Sequence, residues 1–204
     1  MKYINLQIKP IYLFLILIFF SITCLGKLID KKFLKIKILN FYENFIIGIS
    51  FIVLYLQIHI IFLPINLLTS SILIILLSFS LIANSKEILN KINFKFLISF
   101  CLCFFIIINS NVFPYYYTLY DYGLYHNTYL NWLNQESLTL GLANLHFRFG
   151  YSGSSYLLGA FFNFYPYFGS SYIFTSSIFF TFLIFLLIDK INFFKMIIQI
   201  FSMH

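Results

Sequence analysis

A short stretch of the chain, residues 120–132, concentrates side chains that can take part in chemistry. It reads YDYGLYHNTYLNW and holds Asp121, His126 and the only tryptophan, Trp132. The carboxylate of an aspartate can accept a proton from a hydroxyl group or coordinate a divalent cation. An aspartate at the start of a helix is equally a good N-cap, so the pattern leaves both roles open for Asp121.

Residues 124–133 are predicted to form a helix that starts near Asp121, because aromatic side chains recur there at three- and four-residue spacing. These aromatic residues are Tyr122, Tyr125, Tyr129 and Trp132. Such a stripe packs against a membrane boundary, a protein core or the face of a sugar. On a straight helix Asp121 and His126 point about 140° apart, so they would meet only around a bend or across a ligand.

A second group of candidate residues lies in the segment 141–155, GLANLHFRFGYSGSS, which also contains His146. The only arginine, Arg148, carries a planar guanidinium group that can bind a carboxylate or a phosphate. Gly150 and Ser152 precede an apolar segment, and Gly and Ser before a helix expose N–H groups where the helix dipole favours an anion. The same residue types also form ordinary turns and surfaces, so both interpretations stay open.

The chain that must position these residues has the composition of a membrane protein. Hydrophobic residues make up 61% of the 204-residue chain, charged residues 9%, and the mean hydropathy is +0.93. These values lie outside the range of soluble globular domains. The net charge of +7 comes from lysines in short clusters between apolar runs, which does not favour a nucleic-acid partner. The cysteines lie inside apolar runs and indicate neither a disulfide framework nor a metal site.

Five apolar runs approach the roughly 20 residues that a transmembrane helix needs. We therefore predict an all-α, polytopic transmembrane helix bundle with spans near 11–26, 45–63, 65–83, 96–113 and 171–188. Pro64 separates the second and third runs and predicts a tight helical hairpin. Gln57 and His59 lie inside the second run, where a hydrogen bond between helices is favoured over a proton relay.

The lysine distribution predicts the orientation of these spans. Ten of the 13 basic residues lie in 27–44, 84–95 and 189–204, which alternation of the spans places on one side, expected to be cytoplasmic. The long loop 114–170 is then extracytoplasmic and should contain short helices. One of them, residues 156–169, is aromatic but too short to span, which predicts an interfacial or re-entrant helix.

Three motifs carry a resemblance to a known family: DYGLYH (121–126), NWLN (131–134) and GLANLHFRFGYSGSS (141–155). Together they resemble an uncharacterised family of bacterial polytopic membrane proteins distantly related to the GT-C glycosyltransferases, which use polyprenyl-phosphate sugars. The resemblance implies that Asp121 is a catalytic base or the ligand of a divalent cation, with no other cofactor. The remaining substrate-binding candidates, chosen for their chemistry, are Tyr125, His126, Trp132, His146, Arg148, Gly150 and Ser152.

The resemblance implies a multi-pass protein of the bacterial inner membrane that transfers a sugar on the extracytoplasmic face, with the lipid bilayer and a polyprenyl-phosphate sugar as its partners. GT-C enzymes place the acidic loop after the first helix and have more than five helices, whereas four predicted helices precede Asp121 here. We therefore expect a truncated or N-terminal portion of such an enzyme. The alternatives are a non-catalytic component of surface-polysaccharide assembly or export, and an inactive fragment.

Overall fold

The computed structural model describes residues 4–36, 40–90, 98–107, 125–145, 147, 153–163 and 171–201, and every regular element within these ranges is helical. This confirms the all-α prediction for the described part of the chain. A π-helical turn, Asp30–Leu34, directly follows the first helix. The helices are α1 (Ile4–Ile29), α2 (Phe41–Phe62), α3 (Leu67–Leu89), α4 (Ile98–Ile107), α5 (Asn127–Gln135), α6 (Leu142–Leu145), α7 (Ser154–Phe162) and α8 (Ser171–Phe201).

In their described parts the five predicted spans are helical except at the hairpin turn, and four of the helices extend beyond the apolar runs. Helix α1 begins at Ile4, before residue 11, and α8 continues past residue 188 to Phe201. Among the described residues, two helices are long and apolar enough to cross a membrane, α2 and α3 from Leu67 to Ile88. The structure thus supports a membrane protein, and the count of five spans remains a prediction.

Helix α3 shows how the polar and apolar side chains are distributed. Its exposed face carries Leu68, Ile72, Ile75, Phe79 and Ile82 at spacings of three and four residues, and Ile82 is 82% exposed. Its buried face includes Thr69, Ser80 and Asn84. A helix at the surface of a soluble protein has the opposite arrangement, because water solvates polar side chains and not apolar ones. The arrangement in α3 therefore suits a helix whose outer face meets lipid.

A cluster of phenylalanine rings joins four helices, α1, α2, α4 and α8. Phe19 of α1 stacks on Phe45 of α2 with ring centroids 4.4 Å apart, and lies 4.6 Å from Phe100 of α4. Phe45 in turn lies 4.7 Å from Phe182 of α8. Phe19, Phe45 and Phe100 are at most 1% exposed, so the cluster forms the centre of the core. Aromatic pairs at these separations add to the stability that burial alone provides.

Two glycines allow α1 and α2 to cross with their backbones in contact. A Cβ atom on Gly26 would lie 1.7 Å from the carbonyl oxygen of Asn44, and one on Gly48 would lie 2.0 Å from that of Ile22. Real Cβ atoms do not approach backbone oxygens so closely, so this crossing requires glycine in both helices. Small residues have this role at helix interfaces in membranes, where close packing rather than water exclusion holds helices together.

Charged side chains tie the end of α1 to the end of α3. The ammonium group of Lys27, a buried residue, lies 3.3 Å from Asp30 Oδ2 and 3.6 Å from Glu87 Oε1. Lys31 Nζ is 2.5 Å from Glu87 Oε2 and 3.0 Å from Asn84 Oδ1, to which it donates a hydrogen bond. A buried charge needs such partners, because leaving it alone in a low-dielectric interior is costly. We call this part of the bundle the lysine end.

The hairpin turn between α2 and α3, residues 63–66, lies at the opposite end. Helix α2 runs from the lysine end to this hairpin end, and its 22 residues correspond to about 33 Å, close to the thickness of bilayer hydrocarbon. Helix α8 runs antiparallel to α2. Its residue Phe185 accepts a hydrogen bond from Tyr42 near the start of α2, whereas Thr175 lies beside Gly159 of α7. The described helices therefore form one bundle with two chemically different ends.

The crossing of α1 and α2 gives a stability prediction for Gly48→Ala. The added methyl group would overlap the backbone of Ile22, so we expect a loss of about 3 kcal/mol or more in the free energy of unfolding. The control is Gly153→Ala, where the nearest heavy atom, Ser155 Oγ, is 3.6 Å away. Thermal unfolding of the purified protein in mild detergent measures both. Equal transition temperatures for the two variants would contradict the close crossing.

Candidate functional site

Backbone hydrogen bonds join the hairpin turn at Pro64 to α5 and to the segment that follows α5. The backbone N–H of Ile65 donates to the carbonyl of Leu133 over 2.8 Å, and the N–H of Leu138 donates to the carbonyl of Ile60 over 2.7 Å. The last carbonyls of a helix have no partner within that helix. These two bonds therefore satisfy the ends of both α2 and α5, and they fix α5 against the hairpin.

Asn134 on α5 joins three elements through its side-chain amide. Its Nδ2 donates to the carbonyl of Ile65 over 2.6 Å and to that of Ala160 in α7 over 3.0 Å. Its Oδ1 accepts a hydrogen bond of 2.6 Å from Nδ2 of Asn163. Asn134 is 1% exposed, so the amide is buried with both donor hydrogens and its oxygen in use. A buried amide with satisfied partners holds its neighbours in a defined arrangement.

The packing of α5 on α7 brings an imidazole and a phenol together. Nδ1 of His126 is hydrogen-bonded to the hydroxyl group of Tyr156, and the two rings are stacked with centroids 5.7 Å apart. Tyr129 packs edge-on against Tyr156, with centroids 5.1 Å apart. His126 and Tyr156 are half-buried, and Tyr129 is buried at 7% exposure. This set of rings, His126, Tyr129 and Tyr156, we call the His–Tyr cluster.

The N-terminus of α7 lies beside the second half of α2. Gly153 is the N-cap residue, and no side chain caps the helix there. The first helical residue, Ser154, accepts a hydrogen bond of 3.0 Å from Nε2 of Gln57. The predicted helix at 156–169 thus starts two residues earlier, and its part beyond Asn163 lies outside the described residues. Its first turn carries hydroxyl groups and backbone N–H groups next to the His–Tyr cluster.

His59 of α2 forms the hydrogen bond to a neighbouring helix that the sequence favours. Its Nε2 lies 2.6 Å from Oγ1 of Thr69 in α3, and that hydroxyl group donates to the carbonyl of Pro64 over 2.9 Å. Because a hydroxyl group has one proton, Nε2 of His59 is the donor to Thr69. Nδ1 then accepts from the hydroxyl of Tyr55, 3.3 Å away. His59 therefore closes the hairpin.

The structure places three of the predicted site residues. Tyr125 and His126 are π-helical and lead directly into α5 at Asn127, whereas the predicted helix start near Asp121 lies outside the described residues. Trp132 is half-buried and its indole N–H donates to Oγ1 of Thr139 over 3.2 Å. Of these three, His126 is the one in the His–Tyr cluster. The other candidates lie outside the described residues: Asp121, His146, Arg148, Gly150 and Ser152.

A metal site was predicted only through Asp121. The described residues contain no group of three or more His, Cys, Asp or Glu side chains that could hold a metal ion. Since Asp121 is not among them, the possible divalent cation stays a prediction.

Sequence reasoning missed Asn134 and Tyr156 as residues that organise the site. A signal for Asn134 exists, because it lies four residues after Leu130 and next to Leu133, on the buried face of α5. An amide on the apolar face of a short amphipathic helix indicates a buried hydrogen-bonding partner. No comparable signal marks Tyr156, because its partner is 30 residues away in the chain.

The fold and the site define a class: an all-helical bundle with lipid-compatible outer faces, whose hairpin end is covered by short helices that carry polar and aromatic side chains. The family model described as a domain of unknown function (DUF8201) matches residues 10–203, and the chain belongs to that family. Comparison with curated proteins gives no match, and comparison with solved structures gives none either.

The contacts of Asn134 predict a large effect for Asn134→Ala. The change leaves two backbone carbonyls and the amide of Asn163 without their partner in a buried place, so we expect about 3 kcal/mol of destabilisation. Asn144→Ala on the exposed face of α6 is the matched control, with an expected change within about 0.5 kcal/mol. Thermal unfolding in detergent compares the two. A similar small shift of the transition temperature in both variants would show that the amide of Asn134 does not hold the hairpin end together.

Proposed function

We propose that this protein is a membrane glycosyltransferase-like protein that uses a polyprenyl-phosphate sugar at the hairpin end of the bundle. The observation that carries the proposal is the His–Tyr cluster beside the N-terminus of α7, inside the segment whose motifs resemble relatives of GT-C enzymes. Polar and aromatic groups meet there beside the apolar outer faces of the helices. A substrate with a phosphate, a sugar and a long apolar chain requires this combination.

The outer faces of the helices support a lipid-linked donor. Beside the hairpin turn, Ile61, Phe62 and Leu68 are about half-exposed or more. The polyprenyl chain of a donor would lie along such apolar surfaces within the bilayer, while its phosphate and sugar reach the hairpin end. A sugar-transferring protein of this hydrophobic composition is therefore physically reasonable.

The proposed reaction is the transfer of the sugar from the phosphate to an acceptor hydroxyl group. The acceptor oxygen forms a bond to the anomeric carbon, the bond from that carbon to the phosphate oxygen breaks, and polyprenyl phosphate leaves. The proton of the acceptor hydroxyl goes to the carboxylate of Asp121, which acts as general base. A divalent cation bound through Asp121 is the alternative role for this carboxylate.

The phosphate would be held by residues that precede α7 and by its N-terminus. Arg148 supplies a bidentate donor, and Gly150 and Ser152 lead to Gly153, the N-cap of the helix. Backbone N–H groups at a helix N-terminus favour an anion. The remaining proposed contacts to the acceptor or the sugar come from Tyr125, His126, Trp132 and His146.

The proposed location is the bacterial inner membrane, with five spans and the loop 114–170 on the extracytoplasmic side. Support comes from the lysine end, where the charged residues of α1 and α3 meet, and from the docking of α5 and α7 at the opposite end. Lysine-rich ends of membrane helices face the cytoplasm. The His–Tyr cluster would then lie on the side where lipid-linked sugars donate to cell-surface acceptors.

The test is Asp121→Asn, assayed in vesicles that contain the protein and radiolabelled polyprenyl-phosphate hexoses. Loss of a general base should lower transfer by about 100-fold or more while donor binding persists. Glu136→Gln is the matched control, because Glu136 is an exposed acid in the same loop, 114–170. Unchanged transfer in Asp121→Asn would contradict the assignment. Donor binding without turnover, tolerant of the same change, would favour a non-catalytic component of polysaccharide assembly or export.

A further inference from the structure

The turn that follows α1, residues 30–36, projects both lysine and large apolar side chains from the lysine end. Its sequence is DKKFLKI. Phe33 is 79% exposed, and Leu34 and Ile36 are each 48% exposed. Lys32 and Lys35 are exposed beside them. Large exposed apolar side chains next to exposed lysines are unusual on a surface that only water contacts.

This turn has a defined conformation, because Asp30 organises it. Asp30 is 2% exposed; its Oδ1 accepts a hydrogen bond of 2.9 Å from the N–H of Ile36, and its carbonyl accepts one of 2.7 Å from the N–H of Lys35. Lys35 has a φ of 54°, in the left-handed backbone region that residues other than Gly and Asn rarely adopt. The two hydrogen bonds hold it there. The turn thus presents its side chains on a fixed support.

The lysines of this turn differ in their partners. Lys31 is paired with Glu87, whereas Lys32 and Lys35 form no ion pair within the part of the chain that the structure describes. Both Lys32 and Lys35 are exposed, so an anionic partner can reach their charges. The turn lies at the end of α1 and beside the end of α3, where the lipid-compatible face of α3 also ends. This is the level at which phospholipid headgroups would lie.

We propose that residues 31–36 form a binding surface for anionic phospholipid headgroups. Lys32 and Lys35 attract the phosphate-bearing surface, while Phe33, Leu34 and Ile36 enter the boundary between headgroups and acyl chains. Because the surface lies where the exposed apolar face of α3 ends, phospholipids at that level would meet both its lysines and its apolar side chains. The combination of fixed charge and exposed apolar groups therefore favours a lipid. This surface is independent of the proposed sugar transfer, because it lies at the other end of the bundle.

A tryptophan placed in the turn can report which lipid contacts it. The variant Phe33→Trp, in a Trp132→Phe background, is reconstituted into bilayers of phosphatidylglycerol and phosphatidylcholine. In one mixture the phosphatidylglycerol carries brominated acyl chains, which quench tryptophan fluorescence. In a second mixture the phosphatidylcholine carries them instead. Quenching of the tryptophan fluorescence gives the relative binding constant of the two lipids at residue 33. We expect quenching, with phosphatidylglycerol preferred about fivefold or more, which corresponds to one lysine near an anionic surface.

The charge dependence is tested by Lys32→Gln combined with Lys35→Asn in the same reporter. Asn tolerates the left-handed backbone at position 35, so the turn keeps its shape while both charges are lost. We expect the preference for phosphatidylglycerol over phosphatidylcholine to be lost, so that both lipids bind about equally well. Lys190→Gln, an exposed lysine on α8 outside the turn, should leave it unchanged. Absence of quenching, equal quenching by both lipids, or a preference that survives loss of both lysines would each overturn the proposal.

Discussion

The helical hairpin at Pro64 leaves backbone groups without helical partners, and the rest of the hairpin end is arranged to satisfy them. A break in a helix at membrane depth is tolerated only when its freed N–H and C=O groups are bonded elsewhere. The loop 114–170 supplies these partners. Leu133 and Asn134 bond to the backbone of Ile65, and Leu138 bonds to the carbonyl of Ile60. The same contacts place α5 on α7, and from this placement the pairing of His126 with Tyr156 follows. The candidate site is thus a consequence of closing a hairpin.

The distribution of polarity along the bundle divides it into regions with different tasks. Next to the lysine end, α1 and α2 are held by phenylalanine rings and by a glycine crossing, and neither uses hydrogen bonds between side chains. The lysine end is held by ion pairs around Lys27 and Glu87, and the hairpin end by amide and hydroxyl groups. At each end, buried polar side chains such as Lys27 and Asn134 bond within the protein, while apolar side chains of α2 and α3 remain on the outside. Lysine ion pairs at one end and amide and hydroxyl contacts at the other are consistent with two different membrane faces.

The sequence predicted the helices well and the contacts between them poorly, for a physical reason. Apolar runs and Pro64 determine where helices form, and His59 could be recognised as a partner for a neighbouring helix because a polar group inside such a run needs one. Helix ends were displaced, as at Ser154 and Phe201, because polar flanks also continue helices. The role of Asn134 depends on Ile65, 69 residues away, and no local pattern encodes that pairing.

We propose that the loop 114–170 and the turn at residues 30–36 lie on opposite faces of a membrane. Single cysteines at Glu136→Cys and Lys32→Cys, in a background with Cys24, Cys101 and Cys103 changed to alanine, report this directly, since both native side chains are exposed. A membrane-impermeant maleimide is applied to intact cells and to permeabilised cells. We expect labelling of position 136 in intact cells and of position 32 only after permeabilisation. Labelling of both positions from the same side would contradict it.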